Sequence, residues 1–225
     1  MKNVVCKQKK GWSKIMNEFL KQANLIKDEI INYRRTIHKN PEVGAELPKT
    51  KAYVMEQLKK MGYEPKEICE SGIVATLEGN KSGKTFLLRA DMDALPMKEN
   101  NECDFKAENG CMHSCGHDMH TAMLLGAAKL LMQNKEQIEG TVKLVFQPDE
   151  EGFTGSKKMI QAGVLENPKV DAAMAMHVHS GTPSNVILCG LGTSIAGCNR
   201  FRIVVKGTGC HGAMPETGVD PIFIA

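Results

Sequence analysis

The run at residues 118–132, DMHTAMLLGAAKLLM, limits the folds open to this chain more than any other segment. It is rich in strong helix formers, and apolar groups cover most of the helical surface, so the helix it predicts must be buried against a sheet. Candidate strands flank it. Residues 73–77 and 85–90 precede it, joined by the turn-rich Gly79-Asn80-Lys81-Ser82-Gly83, which predicts a hairpin of antiparallel strands. After it come a β-branched, apolar strand at 142–146, a short helix at 155–162 capped by Gly163, and a buried strand at 170–176. This alternation predicts an α/β sheet. Upstream, apolar residues from Ile15 to Ile37 recur at a helical period until Asn40-Pro41, and Pro48 opens a second helix that Gly62 ends.

Charge and composition narrow the function classes. The 225 residues carry a net charge of +3, and the only basic cluster lies at residues 7–14, which argues against a nucleic-acid partner. Charges such as Lys129 interrupt every apolar run short of the ~18–20 residues a membrane span needs. The N-terminal segment lacks the apolar core of a signal peptide, and the eight cysteines show no framework spacing. Free thiols and a cytoplasmic location are therefore expected. The pattern changes near Gly190-Leu191-Gly192, with a new strand predicted at 201–205, dividing the chain into domains 1–191 and 192–225. The final DPIFIA reads as the start of a helix, and a second domain this short falls below the ~40 residues that usually fold unaided, so the chain is expected to be C-terminally truncated.

Four segments carry chemistry suited to a metal ion. Three of the seven histidines fall in Cys111-Met112-His113-Ser114-Cys115-Gly116-His117-Asp118-Met119-His120, at the mouth of the buried helix, where a Cys-x-His pair can aim two donors at one point. Gln147-Pro148-Asp149-Glu150-Glu151-Gly152 follows a strand end, the place where α/β folds put their sites. Adjacent carboxylates there can divide metal binding from proton transfer. Asp91 and Asp93, also at a strand end, lie two residues apart and can share a face, where either can orient a histidine or reach a metal. In Met176-His177-Val178-His179 one histidine faces the site and the other turns away. A lone histidine is more often part of a core, but four such clusters together point to a metal site.

The blocks RRTIHKNPEVGAEL (34–47), RADMDALPM (89–97), MHSCGHDMHTAMLLGAA (112–128), VFQPDEEGFTGSKKMI (145–160), AMHVHSGTP (175–183) and VKGTGCHGAMPETGVDPI (205–222) span nearly the whole chain. In content and order they resemble the metal-dependent aminoacylase and carboxypeptidase superfamily of amidohydrolases, in the branch of hippurate hydrolase and the auxin-conjugate hydrolases. The resemblance implies a zinc-peptidase-like mixed sheet flanked by helices, with the start of an inserted α+β lid or dimerisation domain. It implies that Cys115, His117, Glu151 and His177 bind two divalent ions (Mn²⁺, Zn²⁺ or Co²⁺), that Glu150 is the general base and that Asp93 supports the site. Asp91 falls where related branches use a metal-binding histidine. His211 matches a lid histidine that binds the substrate or its oxyanion, often from a partner subunit.

The reaction so implied is hydrolysis of the amide bond of small N-acyl amino acids or related conjugates by a metal-activated water, in an enzyme that is a homodimer at full length. The family's chain continues past its lid to complete the sheet and add a last metal-binding histidine, so poor solubility of the truncated chain is expected. The alternative is a catalytically incompetent remnant that keeps partial metal binding. Two other readings of the Cys/His segment are a structural zinc knot of Cys111, His113, Cys115 and His117, and a Cys115 nucleophile served by a histidine base.

Overall fold

A computed structural model describes residues 12–190, 192–193, 197–199 and 201–225. Cys6, most of the basic cluster at 7–14, and Leu191 at the expected domain boundary lie outside the described residues. The chain groups into two compact units, divided after Ser180. In the first, helices α1 (Trp12–Leu25), α2 (Lys27–His38) and α3 (Pro48–Lys60) lead into strands β1 (Lys66–Glu67), β2 (Ile73–Glu78) and β3 (Lys81–Asp91). Helix α4 (His117–Gln133), β4 (Glu139–Gln147), α5 (Gly155–Gln161) and β5 (Ala172–Ala175) follow. The single helix expected at 14–39 is two, broken at Ile26, where φ −103° and ψ 12° leave helical values. Pro48 does open α3, and the Gly62 and Tyr63 N–H groups close it onto the Lys59 and Leu58 carbonyls.

The five strands form one mixed sheet in the order β1-β2-β4-β3-β5. The expected hairpin is absent: β2 and β3 both pair with β4, the first antiparallel and the second parallel. Burial explains the insertion, because β4 is buried along nearly all its length on both faces, whereas β2 alternates buried and half-buried positions. A strand apolar on both sides belongs in the centre of a sheet. Its entry also needs Gly140, which has φ +84° and whose backbone lies so close to β3 that a Cβ would stand 2.1 Å from the Lys84 carbonyl oxygen.

Successive β4 side chains serve opposite faces. Val142, Leu144 and Phe146 join the larger core with Tyr33, Val54, Leu58 and Leu125 from the helices, while Val145 packs with Leu87, Met159 and Val164 beneath α5. Lys143 is also buried, and its Nζ donates to the Val164 and Glu166 carbonyls at 3.1 and 2.5 Å, tying the α5–β5 connection to the sheet. The strand expected to be buried at 170–176 is instead the short, exposed β5. It pairs only with β3, so it forms the sheet's edge among the described residues.

In the second unit the strand expected at 201–205 does not form, and Phe201 and Ile203 are exposed. A strand needs a partner, and the pairing found here is the isolated bridge between Thr208 and Val219. The terminal helix start is present as α6 (Pro221–Ile224), whose Ile222 N–H donates to Asp220 Oδ1 at 2.8 Å. No described helix is long and apolar enough to cross a membrane.

Leu144 has no exposed surface at the centre of the sheet. Leu144→Ala is expected to cost about 2–5 kcal/mol of stability, read from the midpoint of urea unfolding. A loss well under 1 kcal/mol would contradict the central placement of β4.

Candidate metal centre

The parallel pairing of β3 with β4 sets Asp91 opposite Gln147, so the segments that follow the two strands leave the same edge of the sheet. One carries Asp93 and the other Glu150 and Glu151. Helix α4 starts at this edge, and its N-cap Gly116 has φ +86°. A Cβ on Gly116 would come within 2.4 Å of Val178 Cγ2, so the glycine allows the segment after β5 to approach the helix start. Four separate stretches of sequence thereby meet.

His117 lies at the centre and has no exposed surface. Its Nδ1 donates to the Asp93 carbonyl at 2.8 Å, which leaves the Nε2 lone pair facing inward. Nε2 is a buried atom with no hydrogen-bond partner, yet Asp91 Oδ2, Glu150 Oε2 and Glu151 Oε1 lie 3.7, 3.8 and 3.9 Å away. On another side, Cys115 Sγ and His177 Nε2 are 3.3 Å apart. Ligand-type atoms of Cys115, His117 and His177 lie within 4.8 Å of one another, as do those of His117, Glu150 and Glu151. Asp93 fastens the arrangement, its Oδ2 accepting from the Glu151 N–H at 3.1 Å.

The electrostatics fit a cation. Burial pulls His117 down, but the Asp93 and Asp91 carboxylates outweigh it, so its pKa is raised. Burial pushes the Cys115 thiol up to about 12, and its hydrogen-bonded neighbour Glu151 adds to the effect. Burial raises Glu150 as well; His117 opposes this and the carboxylates of Asp91 and Glu151 reinforce it. A buried imidazole lone pair facing carboxylates and flanked by a thiol and a second imidazole is a donor set suited to a borderline divalent ion. The same potential opposes a Cys115 nucleophile, which requires a depressed pKa.

The sequence-predicted residues Cys115, His117, Glu150, Glu151 and His177 are brought together, with Asp93 holding two of them. Cys111 and His113, required by the zinc-knot reading, belong to none of the ligand groups found among the described residues. His211 lies exposed in the second unit, where its Nδ1 accepts from the Ala213 N–H at 3.2 Å. A cleft of about 680 Å³ between Tyr63, Lys66, Lys135 and Glu166 contains none of these residues.

Sequence reading missed a buried network behind the centre. His38 Nδ1 lies 2.8 Å from Asp118 Oδ2 and its Nε2 3.1 Å from Glu99 Oε1, while Arg34 Nε donates to the same Asp118 oxygen at 3.0 Å. The Ala107 N–H completes Glu99 at 2.8 Å. The available signal was the spacing of Arg34 and His38, one helical turn apart on the face of α2 that carries Ile30, Tyr33 and Ile37.

These features define an α/β domain built around a candidate metal centre. Residues 87–217 match the model of peptidase family M20/M25/M40, and the chain belongs to that family. Thermostable carboxypeptidase 2 of Saccharolobus solfataricus is 46% identical over 205 residues, covering 89% of this chain and 52% of that protein. IAA-amino acid hydrolase ILR1-like 4 of Arabidopsis thaliana is 43% identical over 219 residues, covering 96% of this chain and 49% of that protein. The crystal structure of the Bacillus subtilis YXEP protein, described as a dinuclear metal-binding peptidase of the M20 family, superposes with a TM-score of 0.68. The two are 35% identical, over 71% of this chain and 45% of that one. The chain spans about half the length of the curated relatives it matches.

Two buried histidines near the centre give the domain opposed pH responses. Burial pushes His113 down to about 4, so its contribution to stability is full above the unfolded value of ~6.5 and is lost as pH falls towards about 4. The Asp118 hydrogen bond raises His38, whose contribution is full below ~6.5 and is lost as pH rises through its higher folded value. His113→Phe is expected to flatten the decline in stability between pH ~6.5 and about 4, measured by urea unfolding at stepped pH. An unchanged slope in that window would contradict a neutral, buried His113.

Proposed function

We propose that this chain is the metal-binding portion of an amidohydrolase that cleaves the bond between an acyl group and an amino acid. The observation that carries this reading is the buried, unpartnered His117 Nε2, surrounded by Asp91, Glu150 and Glu151 and flanked by Cys115 and His177. Relatives named as a carboxypeptidase and an IAA-amino acid hydrolase support the substrate class, since both names imply an amide whose amine side is an amino acid. Cys115, His117, Glu151 and His177 would hold two divalent ions, of Mn²⁺, Zn²⁺ or Co²⁺. Such ions supply Lewis acidity towards the amide carbonyl and the attacking water.

The chain's own groups do the rest. Glu150 takes the proton of the attacking water and returns it to the leaving amine. Asp93 fixes the tautomer of His117 through its carbonyl and the position of Glu151 through its carboxylate. Residues 192–225 are the beginning of a lid or dimerisation domain, in which His211 donates to the oxyanion, across the subunits of a homodimer in the full-length protein.

The second reading is a catalytically incompetent chain that keeps partial metal binding. Hydrolysis of N-acetyl, benzoyl and aminobenzoyl amino acids in the presence of each ion, abolished by chelators, supports the first reading; metal binding with no hydrolysis of any of them supports the second. Glu150→Gln is expected to leave metal stoichiometry unchanged, measured by equilibrium dialysis, while turnover falls by ~10²–10⁴. Wild-type turnover in this variant would remove Glu150 from its role.

A further inference from the structure

Asp91 and His120 share a ligand-type cluster with His117, all three buried, but both ring nitrogens of His120 and Oδ1 of Asp91 are hydrogen-bonded elsewhere, while Asp91 Oδ2 makes no hydrogen bond, pairs with Arg89 and stands 3.7 Å from His117 Nε2. His120 Nε2 accepts from the Val178 N–H at 2.9 Å, so the ring proton sits on Nδ1, which lies 2.5 Å from Asp91 Oδ1. Neither ring nitrogen retains a lone pair for an ion. Asp91 is held in turn by Arg89, whose Nη1 stands 2.7 Å from Oδ2 and whose Nε donates to Gln147 Oε1 at 2.9 Å.

The far end of this chain of contacts is a single residue next to His177, Val178. The Val178 N–H is held by His120, while the Val178 carbonyl accepts from His177 Nδ1 at 2.6 Å. The His120 ring also meets the His177 ring edge to face, with centroids 4.6 Å apart. Strand β5 ends at Ala175, and residues 176–179 have no regular structure, so the sheet does not by itself fix the His177 imidazole.

We infer that Arg89, Asp91 and His120 form a positioning relay that aims His177 Nε2 at the Cys115 and His117 donors, rather than supplying metal ligands themselves. The inference rests on the reading of His177 as a ligand. Asp91 sets the His120 tautomer; with the proton on Nε2 instead, two donors would face each other at Val178 and the contact would break.

The test compares the full chain with His120→Phe, His120→Gln, Asp91→Asn and His177→Ala, each first checked for cooperative unfolding. Hydrogen exchange of the 176–180 segment is measured without metal, and Zn²⁺ affinity and Co²⁺ absorption with it. His120→Phe is expected to speed exchange at the Val178 amide and to weaken one Zn²⁺ by ~10–100-fold, the range typical of supporting groups behind a ligand. His120→Gln restores an acceptor and is expected to recover both, and Asp91→Asn is expected to keep the wild-type stoichiometry.

If His177→Ala weakens Zn²⁺ while His120→Phe changes neither exchange nor affinity, the relay is wrong. Loss of an ion in Asp91→Asn would make Asp91 a ligand and overturn the relay in the same way. If His177→Ala leaves Zn²⁺ affinity and the Co²⁺ spectrum unchanged, the reading of His177 as a ligand is what fails.

Discussion

The parallel pairing of β3 with β4 is the constraint on which the candidate centre depends. With Asp91 opposite Gln147, the chain leaves both strands at one edge, and two acidic segments separated by more than fifty residues become neighbours. Antiparallel pairing of the same strands would put their carboxyl ends at opposite edges of the sheet. Helix α4 covers the larger core with its apolar face and brings its N-terminus to the same edge. Core burial and the placement of the donors are thus parts of one packing solution, and a shift of β4 by one residue would turn Leu144 and Phe146 out of the core.

Within that frame, hydrogen bonds assign the buried polar groups to different tasks. His117 and His120 stand one turn apart on α4, yet one keeps a free inward lone pair and the other spends both nitrogens on Asp91 and Val178. Asp91 and Asp93 likewise differ: the first is occupied by Arg89 and His120, and the second joins Glu151 to His117. Further out, Arg34 and His38 compensate buried Asp118, and His38 also pairs with Glu99, so the helix start that carries His117 is anchored by charge-assisted bonds as well as by apolar packing. Concentrating so many carboxylates around a buried imidazole would be costly without a cation to balance them.

Local chemistry made much of this legible. The buried α4, the Pro48 helix start and the strand at 142–146 follow from composition and periodicity, and the clustering of the 111–120, 147–152 and 176–179 segments at element ends marked them as suited to a metal, while the family resemblance singled out Cys115, His117, Glu151 and His177 as ligands and Glu150 as the base. The hairpin reading failed at a specific point. Gly79 to Gly83 has the composition of a tight turn, but nothing in the turn encodes that a strand sixty residues later will enter between its two arms. The exposure of β5 and the missing strand at 201–205 are failures of the same kind, since apolar composition announces a strand without naming a partner.

The sequence by itself determined which residue types are available at each element end, which helix must be buried, and the motifs that tie the chain to its family. Periodicity and composition are local, and they suffice for that. Only the tertiary structure decided that β4 is central, that Arg34 and His38 reach Asp118 across some eighty residues, and that Asp91 faces His120 and Arg89. These outcomes depend on strand register and helix packing, which turn residues distant in sequence into neighbours within hydrogen-bonding distance. A histidine's role follows from which of its nitrogens is already engaged, and that is settled only when its neighbours are in place.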